Sequence, residues 1–148
     1  MNGPFLIRRV TELDADAVAQ LSSELGYPTD SGVMRARLSA VLALDVDLLI
    51  AAVDSSNLLI AWLQAHSAHI IESGFRVEIT GLAVSSTARR RGAGRMLVNR
   101  AEEWARGLGA GMVVVRSNVN RTESHLFYPA LGYTISKTQK VYRKRLHE

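Results

Sequence analysis

Hydrophobic and polar positions change period several times along the chain, and each change predicts an element. "PFLIRRV" reads as a first strand. "TELDADAVAQLSSEL" then switches to helical spacing, with Val18, Leu21 and Leu25 on one stripe. Thr11 caps that helix, and Asp14 three residues on completes a loose capping box. "GYPT" breaks the chain. "DSGVMRARLSAVLAL" predicts a second helix with Val33, Leu38, Val41 and Leu42 inward. "DLLIAAV" and "NLLIAWLQAHSAHII" read as strands around the turn "DSSN", and "FRVEITGLAVS" as the next. In "GRMLVNRAEEWARGLG", Leu97, Ala101, Trp104 and Leu108 share one helical face, ended by Gly107 or Gly109. "MVVVRSN" is the short apolar run of a strand with a parallel neighbour. "RTESHLFYPALG" is a short helix with Asn120 as cap and Glu123 three residues on. "YTISK" and "KVYRKRL" read as a final pair of strands, the last offering an edge to a homodimer.

The predicted order is β-α-α-β-β-β-α-β-α-β-β, an α/β fold with a mixed, mostly antiparallel sheet flanked by helices. At 148 residues one domain over 1–148 is expected. A hydrophobic share of 47% and a charged share of 22% are those of a globular chain rather than a disordered one. There is no cysteine, which removes disulfides, thiolate metal sites and a cysteine nucleophile. The start lacks a signal-peptide pattern and no apolar run reaches membrane length, so a cytoplasmic protein away from the membrane is expected.

The net charge of +4 suits an anionic ligand. Basic residues gather between Arg89 and Arg100 and between Lys137 and Arg145. A localised basic loop favours a compact anion over an extended polymer. That loop, "SSTARRRGAG", joins a strand to a helix start, where unpaired N–H groups and a partial positive charge bind phosphate. Gly92 and Gly94 bare the backbone, and Arg89, Arg90 and Arg95 add charged donors. No Lys-Ser or Lys-Thr follows Gly94, which excludes a P-loop. Leu97 stands where a dinucleotide fingerprint needs a small residue. What remains is Arg-x-x-Gly-x-Gly. The plainer reading is a solvated basic helix start, with Arg91 simply in water.

With its flanks, the stretch from Val77 to Tyr133 resembles the GNAT N-acetyltransferases. "GLAV" before "RRRGAG" resembles their acetyl-CoA loop, and "FYPALGY" resembles their Phe-Tyr-x-x-Leu-Gly-Phe/Tyr segment. "VEITGLAV", "EWARGLGA" and "RSN" followed by "FY" are similar to the bacterial branch that includes aminoglycoside 6'-N-acetyltransferase-like proteins. The resemblance implies an acetyl-CoA-dependent N-acetyltransferase acting by direct attack of a primary amine in a ternary complex. It implies that the Val84 N–H faces the acetyl carbonyl, that Leu82, Ala83 and Val84 pair with the pantetheine arm, and that Arg89, Arg90, Arg91, Gly92, Ala93, Gly94 and Arg95 hold the pyrophosphate. Asn118 and Arg121 are further cofactor candidates, the latter toward the adenosine phosphate.

Tyr128 is the candidate general acid, since a phenol stays protonated at neutral pH. Pro129 directly after it constrains its backbone. Glu78 is the candidate general base: a carboxylate in an otherwise apolar strand needs a partner or a purpose. Gly81 marks a bulge that re-aims the strand. His66, His69 and His125 lack metal-ligand spacing and read as structural or substrate-lining, and Trp62 and Trp104 as core. "SELGYPTD" rims the acceptor site, where Glu24, Tyr27 and Asp30 suit a cationic amine. The acceptor is a small-molecule or peptide amine; no metal and no nucleic acid are expected. Two other functions compete: a non-catalytic acyl-CoA sensor on the same fold, and a small nucleic-acid binder driven by the basic loop.

Overall fold

Five strands form one sheet in the order of the chain. They are β1 (Leu6–Arg9), β2 (Asp47–Val53), β3 (Leu59–Ile70), β4 (Gly74–Val84) and β5 (Val113–Val115). The computed structural model describes residues 5–89, 91–117 and 122–147. It divides into two units, Met1–Arg116 and Ser117–Glu148, each considered by itself.

In the first unit β1 to β4 pair antiparallel, and β5 joins β4 in parallel, as its apolar run implies. Alternation along β2 sends Leu49, Ala51 and Val53 to one face. There they pack with Val18 and Leu21 of α1 (Ala15–Glu24) and Met34 and Leu38 of α2 (Ser31–Leu42). The other face lies under α3 (Ala93–Leu108), whose Leu97, Val98, Ala101 and Ala105 are buried. Leu48 and Ile50 of β2 line a groove there with Trp104.

The predicted capping box exists. Thr11 accepts from the Leu13 N–H, and Asp14 accepts from the Thr11 N–H. It caps a single 3-10 turn, Glu12–Asp14, which leads into α1. Asp14 also takes two hydrogen bonds of 2.8 Å from the Arg8 guanidinium, tying that turn to β1. In α2 the inward residue is Met34 and not Val33, which is 43% exposed. That helix has a weak apolar stripe, so its phase is set by packing on the sheet. On α3, Leu97 and Ala101 face inward as expected, Trp104 is half-buried and Leu108 is exposed. The helix stops at Gly109, which adopts φ 82°, a left-handed conformation that glycine takes without strain.

In the second unit α4 (Thr122–Ala130) ends through the Gly132 N–H to the Pro129 carbonyl and the Tyr133 N–H to the Tyr128 carbonyl. Asn120, the expected cap, lies outside the described residues. The expected final strands are not formed: residues 133–147 contain no strand, and Ile135, Val141, Tyr142 and Leu146 are exposed. A strand exists only through a partner, and an isolated hairpin is marginal in water. The link Lys137-Thr138-Gln139 also lacks the residues of a tight turn.

Candidate active site

The strand before the arginine loop opens along one edge. β5 pairs with β4 only through Val77, Glu78 and Ile79. Opposite β3 the register shifts so that Gln64 faces Gly81 and Ala65 faces Ile79. Thr80 is the extra residue, so a bulge sits beside Gly81, as the glycine suggests. Below the bulge the Val77 N–H points to β5, bonding the Met112 carbonyl. Above it the Ser85 N–H points to β3, bonding the Ile60 carbonyl at 2.8 Å. Strand alternation then turns the N–H groups of Leu82 and Val84 away from β3, to the edge beyond the end of β5. Ala83 is buried beneath α1 and α2.

The chain next turns through Ser85, whose carbonyl accepts from the Ala88 N–H and whose hydroxyl lies 3.0 Å from that of Thr87. Gly92 precedes α3 at φ 90° and offers no side-chain cap. The Met96 N–H bonds the Gly92 carbonyl. The N–H groups of Ala93, Gly94 and Arg95 therefore begin the helix without an intrahelical acceptor, in the arrangement that binds an anion. Ala93 and Gly94 are buried and Arg89 and Arg95 exposed. Arg91 is exposed, as expected, and also stacks its guanidinium over the Phe5 ring at 5.0 Å. Arg90, Asn118 and Arg121 lie outside the described residues.

On the α1–α2 face, side chains from three strands meet. Glu78 is 18% exposed, and both of its oxygens are held. Arg76 Nη2 donates to Oε1 at 2.7 Å, and Arg116 Nη1, just past β5, donates to Oε2 at 2.6 Å. His66 lies directly opposite Glu78 in the register. Its Nδ1 lies 2.5 Å from Asp47 Oδ1, and Gln64 Nε2 donates to Asp47 Oδ2 at 2.9 Å. Trp62 follows on the same face, its ring over Gly81 and its Nε1 buried without a partner among the described residues. Asp47, Gln64, Arg76 and Arg116 were not singled out by sequence. The available signals were a carboxylate opening an apolar strand, and the alternation Trp62, Gln64, His66 along β3.

In the acceptor stretch, Asp30 is committed to capping α2, its Oδ1 accepting from the Val33 N–H at 2.9 Å. Glu24 and Tyr27 are exposed. Tyr128 belongs to the second unit. It is half-buried, with edge-on ring contacts to Phe127 at 5.0 Å and Tyr133 at 5.8 Å. Pro129 stands inside the last turn of α4 without breaking it.

The family model of the acetyltransferase (GNAT) family matches residues 19–133. The chain belongs to that family. Acetyl-CoA is the acetyl donor that membership implies, and the open β4 edge and uncapped α3 start have the polarity to receive it. A curated relative, an uncharacterized N-acetyltransferase YhdJ of Bacillus subtilis, is 36% identical over 66 residues, 44% of this chain and 46% of the relative. The match thus spans about half the length of that relative. Among solved structures, the aminoglycoside N-acetyltransferase AAC(6')-Iy in complex with CoA superposes with a TM-score of 0.85 at 19% identity, covering 98% of this chain and 97% of that one. A structure described as a transcriptional regulator from Bacillus halodurans superposes at 0.84 with 22% identity, covering 95% and 99%. At such identities these likenesses establish the fold. No described helix is long and apolar enough to cross a membrane.

Proposed function

We propose that the protein transfers the acetyl group of acetyl-CoA to a primary amine by direct attack. The observation that carries this is the β4 edge. Leu82 and Val84 aim N–H groups past the end of β5, and eight residues after Val84 the bare backbone of Gly92 opens α3. The pantetheine amides pair with that edge and the pyrophosphate rests on the N–H groups of residues 93–95, with Arg89 and Arg95 adding charge. The Val84 N–H polarises the thioester carbonyl as an oxyanion donor.

The amine nitrogen forms the C–N bond while the C–S bond breaks with its electron pair on sulfur. A general acid, the role that the family resemblance gives Tyr128, protonates the departing thiolate and regains a proton from the acylated nitrogen. Glu78 contributes a fixed negative charge on the acceptor side, its geometry locked by Arg76 and Arg116. That face suits a small cationic amine. The solved structure of AAC(6')-Iy with a bisubstrate analogue of acetylneamine supports an amino sugar as one class to try.

Calorimetry with acetyl-CoA, followed by detection of released thiol over a panel of primary amines, tests the reading. Saturable binding and amine-dependent thiol release are expected. Absence of binding overturns the donor site, and binding without release from any amine turns the protein into an acyl-CoA sensor.

A further inference from the structure

We propose that His66, oriented by Asp47, is the terminal proton acceptor for the incoming ammonium group. The inference rests on the transferase reading above and deepens it by naming where the amine's proton goes.

Two candidate acceptors face each other on the acceptor side of the sheet, Glu78 on β4 and His66 on β3. They differ in what surrounds them. Each Glu78 oxygen already receives a guanidinium N–H, from Arg76 on β4 and from Arg116 beyond β5. Both oxygens of that carboxylate are thus engaged in short charge-assisted bonds. His66 has the opposite arrangement. Asp47, whose side chain is 5% exposed, holds Nδ1, while the His66 side chain is 42% exposed. Gln64 fixes the other Asp47 oxygen, so the carboxylate cannot rotate away. A hydrogen bond from Nδ1–H to a carboxylate leaves the lone pair on Nε2. No hydrogen bond to Nε2 is made among the described residues. The charged groups around the imidazole are thus Asp47 on β2, Glu78 and Arg76 on β4, and Arg116. The two carboxylates and two guanidiniums balance in formal charge.

Leu63 faces Leu82 and Ala61 faces Val84 in the register, so His66 lies three to five residues along the strand from the cofactor edge, about 10–17 Å. The side chain shortens that span, and the proton reaches Nε2 through water. The balance is simple. The ammonium gives one proton to His66 Nε2, which returns it to solvent. The neutral amine attacks, its second proton ends on sulfur, and the products are the amide, the free thiol and one released proton.

The test compares two acceptors of like shape in the full-length protein. One is ethylamine, mostly protonated at neutral pH; the other is 2,2,2-trifluoroethylamine, mostly neutral there. His66→Asn keeps a donor toward Asp47 but has no basic nitrogen. The expected result is a fall in kcat/KM of about 100-fold with ethylamine and a much smaller one with trifluoroethylamine. Acetyl-CoA affinity stays unchanged, and His66→Gln should behave the same way. An equal fall for both amines assigns His66 a structural role and overturns the proposal, as does an unchanged rate with ethylamine. Where neither serves, the panel amine that releases thiol is used above and below its own protonation range, with the same two outcomes. Release from no amine of the panel overturns the transferase reading and this proposal together.

Discussion

The six-membered ring of Trp62 lies where a Cβ on Gly81 would stand, with ring carbons 2.7 and 2.8 Å from that position. This contact joins β3 to β4 at the bulge, between the open edge of β4 and the charged cluster. A methyl group at 81 must push a core-packed indole aside. Gly81→Ala should therefore destabilise the fold by about 1–3 kcal/mol. Urea denaturation would measure it, and a midpoint equal to wild type would show that the indole moves freely.

Gly92 carries φ 90° at the entry to α3. A side chain there adopts a left-handed conformation that costs about 1–2 kcal/mol. Gly92→Ala should lower acetyl-CoA affinity about tenfold, because the helix start is drawn off its anion-binding geometry. Titration calorimetry gives the number, and an unaltered dissociation constant would remove Gly92 from the site.

Tyr128→Phe deletes only the phenolic oxygen. Turnover should fall about 100-fold while cofactor binding is retained, since a general acid acts at the departure of sulfur and not in recognition. Steady-state kinetics beside calorimetry separates the two. Equal turnover in the variant would give the acid role to another group.

The Arg8 guanidinium donates to Asp14 and holds its carboxyl below the usual carboxylate range, outweighing desolvation; the Thr11 N–H helps. The same contact raises Arg8. A carboxyl with a depressed folded-state pKa contributes stability above its unfolded value, and that contribution is lost as pH falls through the folded value. Arg8 stays charged throughout, so Asp14 sets the pH dependence. Asp14→Asn should lower stability at neutral pH and flatten its decline below the ordinary carboxylate range. Thermal midpoints from pH 7 downward would show this as two curves that converge in acid.

Local signals were legible in the sequence, and pairings at a distance were not. Thr11 with Asp14, the Gly109 stop and the stripe from Leu97 to Ala101 are decided within a few residues, and they stand as read. Met34 replaced Val33 because a helix with little amphipathic contrast takes its rotation from the sheet beneath it. The two tail strands failed because alternation describes a strand only when an edge is there to meet it. Glu78 stood out as a carboxylate among apolar neighbours. Its partners Arg76 and Arg116, and the Asp47 behind His66, emerge only when β2 to β5 are laid side by side. The same holds for Arg91 on Phe5, joined across most of the chain.

The bulge at Thr80 divides β4 into two stretches that answer differently to substitution. Beyond it, in the proposed reaction, recognition of the donor rests on peptide N–H groups, which no substitution other than proline deletes. Before it, the face opposite His66 is written in side chains, each replaceable by one codon change. A chain built this way can exchange one acceptor for another without relearning how to hold its acetyl donor. In the proposed reaction, commitment to one donor and freedom in the acceptor thus meet at a single extra residue in one strand.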